Sequence, residues 1–487
     1  MWIGGEWVDA ESGETFPSIN PATGEEIARV PLAGKGDVKK AIEAAKKAFP
    51  KWSKEPQGTR SNKVLQLARL LRERVQEFAE LETRDHGSPI RFNLHAGAAE
   101  CFEWFAKASS TIMGNVLPVG PHMLAYTQRE PIGVVSLLVP WNGPLEMLSW
   151  KLGPALAVGN ACVVKPSSFT SLTALKLGEL LEQLDLPPGT VNIVTGPPAT
   201  IGEELTTNPD VRKVGLTGST ATGREVMASA AKTVKRLSLE LGGKNPFIVF
   251  DDADIDAAIM GAIEGSFWNS GQVCASVGRY YIHEKVYEEF VEKFISAANK
   301  IVMGDPLDIA TDMGPLVSEQ HRDKVAGLVK SGLEEGAKLV LGGERPSKPP
   351  LDKGWFFPPT IFTKVTQNMR IAREEIFGPV APILKFSSDK SDEEVIELAN
   401  DSTYGLVASV WTSDMRRALK FVNALESGMV WVNDHMGLGM ETPVGGFKES
   451  GFGKDLSHLV FDDYTQIKCV MVELTGMRKK PFGKEFI

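Results

Sequence analysis

Apolar positions in the first hundred residues recur with helical spacing. Val38, Ile42, Ala45 and Phe49 fall on one face, with Asp37 placed to cap the helix, and Val64, Leu67, Leu71, Val75 and Phe78 form a longer stripe of the same period. That spacing is what burying one face of a helix requires. Ahead of them, Gly5-Glu6-Trp7-Val8 and Asn20-Pro21-Ala22-Thr23-Gly24 are rich in turn formers and predict short strands joined by tight turns.

From Ile132 the pattern changes. Apolar runs at 132–139, 161–164, 191–194, 211–217 and 237–241 predict strands, and helical patterns at 145–158, 172–184 and 224–231 lie between them. Short strands that are apolar on both faces and separated by helices predict right-handed βαβ units in a parallel sheet, with any ligand at the carboxyl ends of the strands. A second α/β segment spans 245–440, with a helix at 284–300 and strands near 280–283, 339–341, 383–386 and 430–432. Ser347-Lys348-Pro349-Pro350-Leu351-Asp352 reads as a loop. After a Gly-rich stretch at 445–453, residues 466–473 predict a strand whose free edge pairing with another subunit would satisfy.

Composition narrows the function classes. A chain of 487 residues implies two or three domains. With 43% hydrophobic and 24% charged residues it reads as an ordinary globular protein, and its net charge of -9 argues against a nucleic-acid surface. The one basic cluster, Arg478-Lys479-Lys480, is short. Met1-Trp2-Ile3-Gly4-Gly5-Glu6 lacks the pattern of a secretory signal. The uncharged part of 152–164 is interrupted by Gly, Pro and Asn and falls short of the ~20 residues a membrane span needs. Cys101, Cys162, Cys274 and Cys469 are far apart, without CxxC or His at metal-ligand spacing, so neither a metal site nor a disulfide framework is expected. A cytoplasmic protein with reduced thiols follows as an expectation.

Candidate chemistry lies at the predicted strand ends. Gly218-Ser219-Thr220-Ala221-Thr222-Gly223 joins a strand to a helix, as either a pyrophosphate-binding turn or a packing turn; the G-x-G-x-x-G fingerprint is absent. Lys165 ends a strand, where it is either a ribose or phosphate donor or a solvated edge charge. Glu240, embedded in Leu237-Ser238-Leu239-Glu240-Leu241, is either a desolvated general base or a salt-bridged structural carboxylate. The Asn142 amide after Pro140-Trp141 is placed to donate to a developing oxyanion. Cys274, in Gly271-Gln272-Val273-Cys274-Ala275-Ser276, is either a buried hydrophobe or a covalent nucleophile.

In order and spacing, Pro140-Trp141-Asn142, Lys165-Pro166-Ser167, the 218–223 turn, Leu239-Glu240-Leu241-Gly242-Gly243-Lys244, Gly271-Gln272-Val273-Cys274 and Glu374-Glu375-Ile376-Phe377-Gly378-Pro379 resemble the aldehyde dehydrogenase superfamily. The likeness runs from Gly5-Glu6-Trp7 to Gly445-Gly446-Phe447-Lys448. It implies an α/β fold in three parts: a Rossmann-like cofactor domain (1–113 and 131–242), an α/β catalytic domain (243–440) and a small β oligomerisation unit (114–130 and 441–487). A homodimer or homotetramer is expected. The resemblance makes Cys274 the nucleophile toward an aldehyde, Asn142 and the Cys274 N–H the oxyanion donors, and Glu240 the base that hydrolyses the thioester; Lys165 is counted with this catalytic set. NAD or NADP is the implied cofactor. Lys165, Ser167 and Ser168 are expected along its adenosine ribose, Gly218, Ser219 and Gly223 by the pyrophosphate, and Glu375 with Phe377 at the nicotinamide end. Leu138, Pro140, Trp141, Gly202 and Leu241 complete the expected contacts.

Two departures matter. Many strictly NAD-using members carry Glu where this chain has Ser168, and Gly143 replaces an aromatic residue at the wall of the substrate tunnel. The expected substrate lining, Met147, Trp150, Phe267, Trp268, Val273, Met436, Leu438 and Met440, is apolar and suggests a medium aliphatic or aromatic aldehyde. A CoA-acylating enzyme and a cysteine esterase are the competing readings; a family member that keeps Glu240 favours water over CoA. Loss of the carboxylate at Ser168 removes repulsion of a 2'-phosphate. Catalytic efficiencies with NAD and NADP should therefore be comparable, and a strong preference for NAD would contradict this electrostatic argument.

Overall fold

The short apolar runs become the parallel strands of two sheets in the computed structural model, which describes residues 1–476. Arg478-Lys479-Lys480 and the rest of 477–487 lie outside the described residues. The first sheet has eight strands in the order Glu6–Trp7, Trp2–Ile3, Val191–Ile193, Ala161–Lys165, Val134–Leu138, Val211–Thr217, Arg236–Glu240 and Gly451–Phe452. Its five central strands are parallel. Strand Val134–Leu138 is buried throughout, as expected of a sheet covered on both faces. The second sheet orders Lys338–Leu341, Thr360–Thr363, Val380–Phe386, Val277–His283, Asn245–Val249, Val407–Trp411 and Met429–Val432, antiparallel only at its first pair. The α/β architecture expected from the alternation is present.

Some local expectations are corrected. Asp37 lies inside the first turn of the helix Lys35–Trp52, whose cap is Gly34; its carboxylate accepts from the Gly34 N–H at 2.9 Å and from Glu11 N–H at 3.1 Å. The stripe from Val64 to Phe78 is two helices, Gln57–Glu73 and Val75–His86, because Arg74 leaves helical geometry at φ -111° and ψ 20°. The helix foreseen at 284–300 is shorter, Tyr287–Ala298.

The terminal strand, Thr465–Glu473, pairs along its whole length with Met123–Pro131, which also pairs with Val116–Leu117. It is the outer strand of this small sheet, with Ile467, Met471 and Val472 exposed. The residues just before it do not stay with that sheet. Gly451–Phe452 joins the first sheet beside Glu240, and Phe461 and Tyr464 are buried in the core that also holds Phe102, Phe105 and Leu152. A boundary at 441 therefore assigns to the small unit residues that pack into the cofactor domain.

Phe461 anchors this return, edge-on to Phe105 with ring centroids 5.9 Å apart. Phe461→Ala should cost about 3–5 kcal/mol of stability. Urea denaturation followed by circular dichroism should show a lower midpoint, and an unchanged midpoint would mean that Phe461 does not anchor this core.

Candidate active site

Parallel register brings the expected residues to one edge. Leu138 is level with Lys165 on one side and Leu216 on the other, and Thr217 is level with Glu240. Each strand then ends in a candidate: Pro140-Trp141-Asn142, Lys165, Gly218 and Glu240. The Gly218 N–H donates to Glu240 O at 3.0 Å, and Ser219 caps the helix Thr220–Ala230 by accepting from Thr222 N–H at 3.2 Å. Gly223 sits within that helix, where a Cβ would come 2.6 Å from the Leu241 side chain. Close packing of the helix on Leu241 thus accounts for this glycine. Gly202 lies on the neighbouring helix Pro198–Thr207. Lys165 is buried, with Nζ donating to Pro166 O at 3.1 Å, and burial lowers its pKa to about 8. Ser167 and Ser168 are half-buried beyond it.

Cys274 is carried on a turn that the chain does not adopt freely. After the helix Ile255–Phe267 and Trp268, Asn269, Ser270 and Gly271 have φ of 50°, 57° and 69°. Left-handed conformation at the two non-glycine residues costs on the order of 1–3 kcal/mol each, and hydrogen bonds offset it. Asn269 Nδ2 donates to Asn142 O at 2.8 Å, Gln272 Nε2 to Asn269 O at 3.1 Å, Val317 N–H to Gln272 Oε1 at 2.9 Å, and Ser270 Oγ to Gly314 O at 2.8 Å. In return Asn142 Nδ2 donates to Gln272 O at 3.0 Å. Its second amide N–H makes no hydrogen bond among the described residues. Asn245 Nδ2 holds the Cys274 and Ser276 carbonyls at 2.8 and 2.7 Å.

Burial dominates the electrostatics. It pushes the Cys274 thiol up to about 12, with Glu240 and Glu375 adding to the rise, so the resting group is a thiol. Glu240 is held well above the usual carboxylate range by burial and by Asp455, and its Oε1 has no hydrogen-bond partner among the described residues. Asp455 is itself paired with Lys151 at 2.8 Å, both side chains buried. Glu375 is half-buried and desolvation raises its pKa, its Oε1 accepting from the Gly243 N–H at 2.9 Å. A Cβ on Gly242 would stand 2.3 Å from Glu375 Oε2, so this glycine leaves room for the carboxylate, while one on Gly243 would stand 2.9 Å from Cys274 O. Lys244, next in the chain, is buried and lowered to about 7 by burial and by Arg279.

Residues outside the sequence motifs complete the frame. His321 Nε2 lies 2.7 Å from Phe377 O, at a residue with φ of 58°, and Trp141 meets the His321 and Phe377 rings edge-on, each at 5.2 Å. Burial lowers His321 to about 4, so the ring is neutral. Nothing local in the sequence marks His321, Lys151 or Asp455, which reach the site only through tertiary packing; the amide-rich run Asn269-Ser270-Gly271-Gln272 was the available signal for the turn.

Two of the residues expected to line the substrate site share a cavity. Phe267 and Trp268 line a large cavity together with Leu145 and Glu146, and Met147, Trp150, Val273, Met436, Leu438 and Met440 do not. Trp150 is buried in the first core, against which Met440 and Met147 pack, and Leu438 is exposed. The helix Pro144–Val158 turns Trp150 inward, which periodicity alone did not separate from a tunnel-facing position.

The Aldehyde dehydrogenase family profile matches residues 7–470. Retinaldehyde dehydrogenase 3 of Homo sapiens is 44% identical over 484 residues, covering 97% of this chain and 93% of that protein. Betaine aldehyde dehydrogenase of Bacillus subtilis (strain 168) is 42% identical over 476 residues, covering 96% of each. Among solved structures, PnpE in complex with nicotinamide adenine dinucleotide is 40% identical with a TM-score of 0.97, covering 99% of both chains; PnpE has also been solved as the protein of Pseudomonas sp. WBC-3.

A Cβ on Gly271 would lie 2.4 Å from Gly378 O, at a φ that disfavours any side chain. Gly271→Ala should displace Cys274 and lower turnover at least about tenfold, the scale expected when reacting atoms are misplaced. Steady-state kinetics at saturating substrate checks this, and wild-type turnover would show that the turn tolerates the shift.

Proposed function

Because the chain belongs to the aldehyde dehydrogenase family, a family of NAD(P)-dependent oxidoreductases, we propose that it oxidises an aldehyde to a carboxylic acid through a thioester on Cys274, which water activated by Glu240 cleaves. The observation that carries this reading is the convergence of a thiol on a laced turn, an Asn142 amide with an unclaimed N–H, and a buried carboxyl whose Oε1 has no partner.

The residues present fit a dinucleotide. The capped helix N-terminus at Gly218 and Ser219 suits a pyrophosphate, the buried Lys165 ammonium has no carboxylate partner among the described residues, and Glu375 is fixed by Gly243 over the gap that Gly242 leaves. Lys165, Ser167 and Ser168 would hold the adenosine ribose and Glu375 the nicotinamide ribose, beside Phe377. The bound nicotinamide supplies the acceptor for the hydride lost from substrate.

Sγ of Cys274 attacks the aldehyde carbon as its proton is released to bulk solvent, and the free Asn142 N–H with the Cys274 backbone N–H holds the resulting oxyanion. After oxidation the acyl group remains on sulfur as a thioester. Glu240, raised by burial, takes a proton from water as the water attacks; the carbon–sulfur bond breaks and the thiol is restored. The comparisons lend no support to a CoA-acylating activity, and Glu240 favours water. An esterase reading lacks a base: no His is placed to activate Cys274 by any hydrogen bond among the described residues.

Self-association is supported by the outer strand Thr465–Glu473, whose exposed apolar residues and unpaired edge suit a second copy in a homodimer or homotetramer. Among the described residues no helix is long and apolar enough to cross a membrane.

Cys274→Ala should abolish aldehyde oxidation. Glu240→Gln should give a burst of reduced nicotinamide and then stall, and full steady turnover in that variant would remove Glu240 from its role. Glu240 acts deprotonated and its pKa is raised, so wild-type turnover should climb with pH through the neutral range. A rate already at its plateau below the ordinary carboxylate range would contradict the assignment.

A further inference from the structure

Glu240 works as a base only after it has lost its proton. Its side chain is buried, and Oε1 has no hydrogen-bond partner among the described residues. A buried carboxylate left in that state is costly, so its ionisation calls for a group that meets Oε1. The charged groups that act on Glu240 are Asp455, Lys151, Lys454 and Asp463, and Glu240 in turn acts on the Cys274 thiol. Asp455 and Asp463 oppose its ionisation. Lys151 favours it, but the Lys151 Nζ is bound to Asp455 at 2.8 Å, with both side chains buried. Farther along, Lys213 donates to Ser238 Oγ at 2.7 Å, and Tyr464 is raised by burial and by the same two aspartates.

Lys454 stands apart from these. It is half-buried and makes no ion pair among the described residues; its Nζ donates to Gly445 O at 3.0 Å and lies 5.7 Å from the Phe447 ring centroid. The backbone sets its place. Val444 and Asp455 exchange hydrogen bonds at 2.9 and 2.8 Å, which puts Gly445 opposite Lys454, and Asp463 Oδ2 accepts from the Lys454 N–H at 2.8 Å. A Cβ on Gly445 would stand 2.9 Å from Glu240 Oε1 and 2.8 Å from Lys454 Cδ. The open carboxyl oxygen and the lysine stem therefore border one space, which exists because position 445 carries no side chain. Nζ lies two bonds beyond Cδ, so turning the end of the side chain moves the ammonium between the Gly445 carbonyl and the Glu240 carboxyl.

We propose that Lys454 is the positioning residue of the general base: its ammonium rests on Gly445 O while Glu240 is protonated, moves onto Oε1 when Glu240 ionises, and holds the carboxylate until the proton of the attacking water arrives. A neutral carboxyl offers the ammonium no advantage over a carbonyl, whereas a charged one forms a shorter and stronger bond. Lys454 stays protonated throughout and touches neither substrate nor thioester. The proposal rests on the assignment of Glu240 as the base.

The test follows kcat against pH for the full chain, at saturating NAD and one aldehyde, in wild type, Lys454→Gln and Lys454→Arg. Gln keeps a donor for Gly445 O and removes the charge; Arg keeps the charge. Loss of a nearby cation makes a carboxylate harder to form, so the pH of half-maximal kcat should rise by about one unit in Lys454→Gln, with turnover roughly tenfold lower on the acidic side and the same plateau at alkaline pH. Lys454→Arg should bring the midpoint most of the way back. A midpoint that stays in place in Lys454→Gln, with or without a uniform loss of turnover at every pH, would overturn the proposal. Full steady turnover in Glu240→Gln would remove the base and the proposal with it. If Lys454→Gln does not fold, labelling of Lys454 by acetic anhydride, read by peptide mass spectrometry, decides the matter: at alkaline pH it should be slower in wild type than in Glu240→Gln, and equal rates would overturn the proposal.

Discussion

The exchange of hydrogen bonds between Asn142 and the turn that bears Cys274 is the constraint on which the site depends. One partner ends a strand of the first sheet and the other follows a helix packed on the second, so the contact joins two domains where their reactive residues meet. Three successive left-handed residues would not persist without it, and each amide that holds the turn is itself held by another. The nucleophile and an oxyanion donor are thereby fixed by one network. Orientation of this kind lowers the entropy that the reaction would otherwise have to lose.

The same enclosure shapes the acid–base character of the site. Cys274, Glu240 and Glu375 are all driven toward their neutral forms by burial, and the two carboxylates add to the rise at Cys274. A thiol is a far weaker nucleophile than a thiolate, so the resting Cys274 is shielded from side reactions. Lys151 and Asp455 pair close by and act on Glu240 in opposite directions, Asp455 raising its pKa and Lys151 lowering it. His321 acts mechanically, because its neutral ring meets the carbonyl of Phe377, whose backbone would otherwise relax from a positive φ.

Much of this was legible in the chain. Strands at 132–139, 161–164 and 211–217 are apolar on both faces and stand where expected, because burial on two sides leaves no other composition. The candidate residues at the strand ends followed from the same pattern, since parallel register makes neighbouring strands end together. Long-range choices were not legible. The return of Gly451–Phe452 to the first sheet depends on pairing with Glu240 across more than two hundred positions, and the break at Arg74 falls within an unbroken apolar period. Apolar composition does not separate core from tunnel: Trp150 is buried in the core and Met440 packs against it, contacts that depend on segments distant in sequence.

Asn142 and the Cys274 turn should act as one unit, and a double-mutant cycle between Asn142 and Asn269 tests this most directly. Asn142→Ala, Asn269→Ala and the double variant should be compared in kcat/KM for a single aldehyde. If the lacing positions both groups together, the double variant loses little more than the worse single variant. Losses that multiply would mean that the two residues act independently, and would contradict the account.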